Sequence, residues 1–314
     1  MSTKTLEKTS ARELDPKKLA ARKRRYRKAE PYIWIAPSLI LMCLFIIVPI
    51  VYVFATAFGK VDRFGRISGF GGFENFANVL DNPEVGRVFI NTIVWTVLVV
   101  VISTVLGFIL ALLLNNEFKG RKIARAIVVF PWATTLVVQA SVWSFIINKD
   151  FGALNTLLKT LGIITTNIDW TPTPEAFFAW EIACGIFVTI PFVCFTVLSG
   201  LQSIDSSLYE AATVDGAGYW SKLFKITVPL VKPSLTVSTV LNIIYVFNSF
   251  PIIWTISKGD PADQTHTLVT YLYDLSFSSG KFGEAAAVSV IGFIVLSICA
   301  SIYMVISLKG EQEG

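Results

Sequence analysis

A group of polar and aromatic residues near the end of a long apolar run could bind a ligand. Asn242, Tyr245 and Ser249 follow one another at spacings of three and four residues, so on a helix they share one face, with Asn248 beside them. Amides and hydroxyls hydrogen-bond to a hydroxylated ligand such as a sugar, and the phenol ring can stack on it. The same side chains could equally form polar contacts between packed helices, and their composition does not choose between the two.

The sequence offers little support for catalytic chemistry. His266 is the one histidine, and no zinc-binding cluster or Ser/His/Asp set can be assembled around it. It lies in a polar stretch, so we expect a surface histidine. The phosphate loop Gly-x-x-x-x-Gly-Lys-Ser/Thr does not occur in the sequence. We therefore expect no catalytic residues, no metal site and no cofactor in this chain.

Glu181 stands out because it lies early in an apolar run, between Trp180 and Ile182. An ionised carboxylate inside a membrane is costly unless it is paired or hydrated. It could contact a substrate or partner near the mouth of a pathway, or it could reach the lipid headgroups. The run begins only a few residues earlier, which favours the second interpretation.

Composition places the chain among integral membrane proteins. Of its 314 residues, 54% are apolar and only 16% are charged, far from the balance of soluble domains. The net charge of +5 comes from Lys and Arg that collect in a few polar segments, a pattern of membrane topology and not of nucleic-acid binding. Four cysteines lie within apolar runs without metal-binding spacing, and we expect small buried hydrophobes: Cys43, Cys184, Cys194 and Cys299.

Hydropathy predicts an all-α integral membrane protein with six transmembrane helices. Each apolar run approaches the roughly 20 residues that cross a bilayer. The predicted spans are Tyr32 to Phe58, Phe89 to Leu114, Ala124 to Ile147, Ala176 to Gly200, Leu230 to Ile256 and Ala285 to Leu308. We expect a basic N-terminal segment, residues 1–30, followed by one membrane domain, residues 31–310.

The distribution of basic residues predicts the orientation of these spans. Of the 27 Lys and Arg residues, 19 fall in the segments that lie inside if the chain starts inside, and 8 fall in the others. The positive-inside rule then places both termini and residues 202–229 in the cytoplasm. The basic cluster before the first span could also bind anionic membrane lipid.

Residues 202–229, called here the 202–229 loop, predict two short helices joined by a glycine turn. Ser206 and Ser207 suit a helix cap, and Gly216 can take the left-handed conformation past a helix end. A second helix is expected through Trp220 and Phe224. Proline cannot continue a helix smoothly, so Pro229 and Pro233 predict a change of direction before the fifth span.

The order of EAA, DGA and ITVP within this loop resembles the cytoplasmic signature of permease subunits of binding-protein-dependent ABC importers. The resemblance implies a helix-turn-helix coupling loop that contacts an ATPase. It implies these coupling residues: Glu210, Ala211, Ala212, Asp215, Gly216, Ala217 and Pro229. It also implies a second permease subunit as heterodimer partner, two ABC ATPase subunits that bind ATP and Mg, an extracytoplasmic solute-binding protein, and a bacterial or archaeal inner membrane.

Other stretches resemble the carbohydrate subfamily, of maltose or glycerol-phosphate type. These are SGLQSIDSSLYEAA, KGDPADQTHTLVTYLYDLSF and GFGGFENFANVL, the last implying a short helix through Phe73, Asn75 and Phe76 on the membrane surface. The resemblance to maltose-type permeases implies substrate contacts at Asn242, Tyr245, Asn248, Ser249, Thr189 and Phe192, of which Thr189 and Phe192 flank Pro191. A glycerol phosphate or polyol importer is the alternative. An ion-coupled secondary transporter would need buried acids in several spans, and the sequence shows little sign of them.

Overall fold

The computed structural model describes residues 31, 32 and 34–312, with side chains up to residue 305. The predicted basic segment, residues 1–30, lies outside the described residues. Helix α1 runs over Trp34–Ala57 and includes a π-helical turn at Cys43–Ile47. A two-stranded antiparallel hairpin follows, with β1 at Gly59–Val61 and β2 at Ile67–Phe70. Helix α2 then covers Glu74–Asp81.

The middle of the chain is almost wholly helical. Its helices are α3 at Pro83–Asn115, α4 at Arg121–Val129 with a 3-10 turn at Phe130–Ala133, α5 at Leu136–Ile147, α6 at Ala153–Thr160 and α7 at Pro174–Gln202. Side chains cap two of the long helices, because Asn82 accepts from the backbone of Glu84 and Thr173 from that of Ala176.

The last third repeats this pattern of long apolar helices and short connections. Its helices are α8 at Ser206–Val214, α9 at Tyr219–Lys222, α10 at Val228–Phe247, α11 at Pro251–Ile256, α12 at Leu268–Tyr273 and α13 at Phe282–Gln312. A π-helical turn, Leu223–Thr227, joins α9 to α10, and another at Asp274–Ser278 extends α12.

The all-α membrane fold is confirmed, with one correction to the third predicted span. In the described part of the chain, five helical stretches are long and apolar enough to cross a membrane, or six if one bent pair counts as a span. The predicted span from Ala124 to Ile147 is a bent pair of helices and not one continuous helix. The chain bends there by 97° between Arg121–Ala133 and Leu136–Ile147. Pro131 lacks a backbone N–H and breaks the helical ladder at this point.

The predicted change of direction at Pro229 is also wrong. The backbone is helical without interruption from Tyr219 to Phe247. Pro229 lies in the first turn of α10, where a missing N–H costs little, and the π-helical turn before it is wider than an α-helical one. The break in this span comes later, between Phe247 and Pro251.

The core of residues 54–314 is formed where α3, α7 and α10 cross closely. Glycines make the approach possible: a Cβ on Gly107 would lie 2.8 Å from Val193, and one on Gly185 would lie 2.7 Å from the Trp95 ring. Trp95 is 1% exposed and donates its indole N–H to the carbonyl of Val246 on α10, at 2.8 Å. Close helix approach at small residues is typical of membrane bundles.

The stretch after α1 forms the predicted short helix, α2, tied to the end of α1. The Asn75 amide donates to the carbonyls of Ala57 and Gly59, both at 2.9 Å. These carbonyls would otherwise be unpaired at the helix end. Phe58, Phe73 and Phe76 pack their rings together. The stretch after α1 therefore forms both a short helix and an aromatic cluster.

Two sequence expectations about burial are wrong. His266 is 1% exposed and not a surface residue, since its Nδ1 lies 3.1 Å from the Thr270 hydroxyl and its Nε2 lies 3.5 Å from Asp263. Polar residues of the segment after α11 fold over it. Of the four cysteines, two are buried as expected, while Cys43 and Cys299 are exposed on the isolated chain.

Candidate functional site

The first helix of the 202–229 loop is capped by a residue that sequence reasoning missed. The Asp205 carboxylate accepts a hydrogen bond from the backbone N–H of Ser207 at 2.9 Å. That bond holds the pKa of Asp205 below its usual range. The expected cap by Ser206 and Ser207 is therefore wrong, because both lie inside the first turn. An Asp directly before a run of small helical residues was the available signal.

The helix ends in a Schellman motif that joins the two halves of the signature. Gly216 has a φ of +78°, as the sequence predicted. Its N–H donates to the Thr213 carbonyl at 3.0 Å, and the N–H of Ala217 donates to the Ala212 carbonyl at 2.8 Å. The second alanine of EAA and the alanine of DGA thus share a backbone hydrogen bond, with Asp215 at the end of the helix.

Side chains close the two short helices against each other. The Tyr209 hydroxyl lies 3.0 Å from that of Thr227, and Lys222 Nζ donates to Thr213 Oγ1 at 2.7 Å. Thr213 in turn donates to the carbonyl of Tyr209. Sequence reasoning did not single out these residues, because a contact between positions 9 and 18 residues apart leaves no local pattern.

The closed loop leaves the signature residues on its surface. Glu210, Ala211, Asp215, Gly216 and Pro229 are exposed, and Ala212 and Ala217 are half-buried. Within the described residues, Glu210 makes no ion pair. It lies in the second turn of α8 and so caps nothing in this chain. Small side chains beside the two exposed carboxylates of Glu210 and Asp215 form a surface that another protein can approach closely.

A cavity of about 270 Å³ lies beside α7 and α10. Of the predicted substrate residues, it brings together Tyr245, Thr189 and Phe192. The remaining lining residues are Trp132, Val188 and Leu241. We call this space the Tyr245 cavity. Three of its lining side chains are aromatic, and two of them, Tyr245 and Trp132, are exposed, at 47% and 56%, and offer flat faces for stacking against a sugar ring.

The other predicted substrate residues do not line this cavity, and the helix face expected to reach Ser249 ends before that residue. Asn242 is fully buried and donates to the Ser103 hydroxyl on α3 at 3.0 Å. Asn248 lies at the end of α10 and bonds back to the Ile244 carbonyl. Ser249 lies beyond the helix, because α10 ends at Phe247 before the face can continue.

Trp132 reaches the cavity because of the bend in the third span. It belongs to the 3-10 turn that also holds Pro131. The Gln139 amide donates to the Pro131 carbonyl at 2.6 Å and also to the Thr134 hydroxyl, which holds the bend in place. The dipeptide Pro-Trp inside an apolar run was the signal for this residue, and a hydropathy window averages it away.

Glu181 does not reach the lipid headgroups, contrary to expectation. Its side chain is fully buried in α7, and within the described residues neither carboxylate oxygen has a hydrogen-bond partner.

Comparison with known proteins bears on both the loop and the cavity. A family described as "Binding-protein-dependent transport system inner membrane component" matches residues 103–309, which include both. A probable ABC transporter permease protein from Brucella abortus is 44% identical over 90% of this chain and 98% of its own length. The trehalose/maltose transport system permease protein MalF of Thermococcus litoralis is 34% identical over 90% of this chain and 95% of its own.

A solved structure shares the fold. It is a bacterial ABC transporter involved in the import of the acidic polysaccharide alginate, with a TM-score of 0.80 and 23% sequence identity, covering 91% of this chain and 98% of that one. The overall fold of this chain is therefore a known one. The family match covers well over half of the chain, and the chain belongs to the binding-protein-dependent transport system inner membrane components.

Proposed function

We propose that this chain is one permease subunit of an ATP-driven importer for a sugar or oligosaccharide. The observation that carries the substrate class is the Tyr245 cavity, which three aromatic side chains line at the bend of the third span, two of them exposed and one of these, Tyr245, with a hydroxyl group. Rings of this kind stack on the apolar faces of sugars, and a hydroxyl exchanges hydrogen bonds with theirs. The similarity to a trehalose/maltose permease supports the same class.

In this proposal, the 202–229 loop passes the movement of a separate ATPase to the membrane helices. Glu210 and the small residues around it dock in a cleft of the ATPase, where the unpaired carboxylate meets a basic side chain. Because α9 and α10 form one uninterrupted helical run, a displacement of the loop passes directly into the helix that carries Tyr245. A second permease subunit completes the pathway, and two ATPase subunits bind the ATP and Mg.

Alternating access follows from these connections. An extracytoplasmic solute-binding protein delivers the sugar to the side on which β1, β2 and α2 lie. ATP-driven closure of the ATPases moves the loop, the long helices tilt, and the cavity opens to one side at a time. Both termini lie in the cytoplasm of a bacterial or archaeal cell, as the basic residues predict.

Topology is tested by thiol labelling in intact cells. In a background without native cysteines, Lys222→Cys should not react with a membrane-impermeant maleimide, whereas Lys281→Cys at the start of α13 should react. Both lysines are polar neighbours of a span, which makes them a matched pair. Strong labelling at position 222 would overturn the six-span orientation and the docking role of the loop together.

Substrate class is tested by uptake. Proteins that copurify in mild detergent identify the partner subunits, and the complete complex is then reconstituted in proteoliposomes with its binding protein. We expect ATP-dependent uptake of a disaccharide such as maltose or trehalose, and none of sn-glycerol 3-phosphate or mannitol. Uptake of glycerol 3-phosphate alone would reject the sugar assignment while leaving the permease assignment intact.

A further inference from the structure

The buried carboxyl group of Glu181 has no role in the pathway described so far. The side chain is 0% exposed, and within the described residues neither oxygen has a hydrogen-bond partner. An ionised carboxylate in such a place would lose its hydration without any compensation. The acid form carries no charge and so avoids most of this cost. In this structure, burial alone favours a protonated Glu181.

The immediate surroundings point the same way. The Ser257 hydroxyl lies beside the carboxyl group without meeting hydrogen-bond geometry. It is already engaged with the Thr265 hydroxyl at 2.8 Å and with the N–H of Gly259 at 3.1 Å. Ser257 also marks the carboxyl end of α11, where the Ile253 carbonyl accepts the last backbone bonds. A helix end of this kind is partially negative and disfavours an anion.

Cations that could neutralise Glu181 do not contact it. Helices α5 and α11 carry no Asp, Glu, Lys, Arg or His, and Lys232 of α10 lies at that helix's opposite end. The ionisable groups on the remaining elements around it are Glu175, Cys184 and Cys194 of α7, Tyr245 of α10, Glu84 and Arg87 of α3, and Lys258, Asp260, Asp263 and His266 of the following segment. Among the described contacts, none forms an ion pair or hydrogen bond with Glu181.

Glu181 lies on the line of α7 that leads to the Tyr245 cavity. Glu181, Gly185, Val188 and Phe192 follow one another at spacings of four, three and four residues, and the last two line the cavity. Over 11 residues a helix rises about 16 Å. Between them the Trp95 ring fills the space above Gly185 and is fixed by its bond to Val246. In this structure the way from Glu181 to the cavity is closed.

We propose that Glu181 acts as a latch: in its protonated form it keeps closed a gate between the Pro174 end of α7 and the Tyr245 cavity. The gate is formed by Trp95, Gly185 and the Ser257 end of α11. When it opens, water reaches the carboxyl group, the O–H bond breaks and the proton passes to that water. When it closes, the carboxylate takes a proton back from water on the same side, so no proton crosses the membrane. This inference rests on the proposed transport function and adds to it a dependence of gating on pH.

Infrared spectroscopy of the complete complex in lipid nanodiscs tests the protonation directly. Glu181→Gln should remove a protonated-carboxyl C=O band from the resting state at neutral pH. Glu175→Gln is the matched control, being the same change on the same helix at an exposed position, and it should leave the band in place. If Glu181→Gln does not accumulate, Glu181→Asp should shift the band. An unchanged band in Glu181→Gln or, where that protein does not accumulate, in Glu181→Asp overturns the proposal.

Gate opening can be followed with the natural thiol of Cys184, which is buried beside Glu181. With the other three cysteines replaced, labelling by an impermeant maleimide should rise with pH, because opening releases one proton. A single proton changes the opening equilibrium by at most about tenfold per pH unit. Each rate is compared with Glu181→Gln at the same pH, which cancels the reagent's own pH dependence.

The two proposals fail in different ways. If the labelling rate of Cys184 depends on pH identically in the parent and in Glu181→Gln while sugar uptake is normal in the same proteoliposomes, that result rejects the latch. It does not affect the proposed transport function. Missing uptake of every sugar rejects the proposed substrate class, while the infrared band still decides the protonation of Glu181.

Discussion

The 202–229 loop and the Tyr245 cavity both contain residues that the sequence singled out, but they are built in different ways. Local backbone rules hold the loop together: a cap at Asp205, a left-handed glycine at Gly216 and hydrogen bonds between residues a few positions apart. The cavity depends on three helices that are distant in the chain and on a bend that turns Trp132 inward. A loop built from local rules can be predicted residue by residue, and a cavity built from long-range packing cannot.

The sharpest way to test this difference is to disturb the packing above the cavity. In Gly185→Val the first added carbon would already lie 2.7 Å from a tryptophan ring that is 1% exposed. We expect a loss of about 3 kcal/mol, the upper end for overpacked cores, seen as a lower thermal unfolding temperature in detergent. Gly86→Ala is the control, since nothing lies within 4 Å of its Cβ position. Equal stability of the two variants would mean that the packing at Gly185 is loose.

Transport kinetics test which polar residues of the cavity region bind ligand. Tyr245→Ala should raise the KM for sugar, because it leaves a ligand group without its partner. The increase should correspond to about 1 to 3 kcal/mol of lost interaction free energy. Asn242→Ala should instead lower stability and leave KM unchanged, since its amide is bound to Ser103. A KM effect at Asn242 alone would restore the single ligand-binding face and move the site away from the Tyr245 cavity.

A smaller effect is expected when the turn of the loop is altered. Gly216 has a φ of +78°, and nothing lies within 4 Å of its Cβ position, so any cost is conformational. A left-handed residue with a side chain costs about 1 to 2 kcal/mol, more when it is β-branched. Gly216→Val should therefore retain less ATPase on copurification than Gly216→Ala. Gly218→Ala, at a φ of −73° and equally free of contacts, should retain it all.

How far sequence reasoning reached depends on the range of the interaction. The apolar runs predicted the membrane class and most spans, because a bilayer imposes length and hydropathy locally. The position of Gly216 was predicted because a helix end needs a left-handed residue at one fixed place. Asp205 was missed only because two serines next to it have the same capping preference.

The errors share one physical cause. Asn242 and Ser249 were assigned to one face by spacing, but the sequence does not show which neighbour each face meets or where the helix ends. Glu181 and His266 were expected near water because polar residues usually are. Glu181 is covered by Ser257, which is far along the chain, and His266 is covered by the folding of its own segment. The bend beside Pro131 was not predicted, because hydropathy was averaged over the whole third span. Burial depends on the whole fold, so a single sequence predicts it only weakly.

The smallest predicted effect concerns the cap at Asp205, and it tests how local the loop is. The backbone N–H of Ser207 holds the pKa of Asp205 below its usual range, so the carboxylate supports the helix above its ordinary pKa of about 3.9. That support is lost only as the pH falls through the lowered value. Hydrogen exchange of the first-turn amides should be constant from pH 7 to about 5 after correction for intrinsic rates, and should then quicken. Asp205→Asn keeps an acceptor and should remove this step, while Asp205→Ala should show rapid exchange at every pH. Identical exchange in all three proteins would mean that tertiary contacts, and not the cap, hold the start of α8.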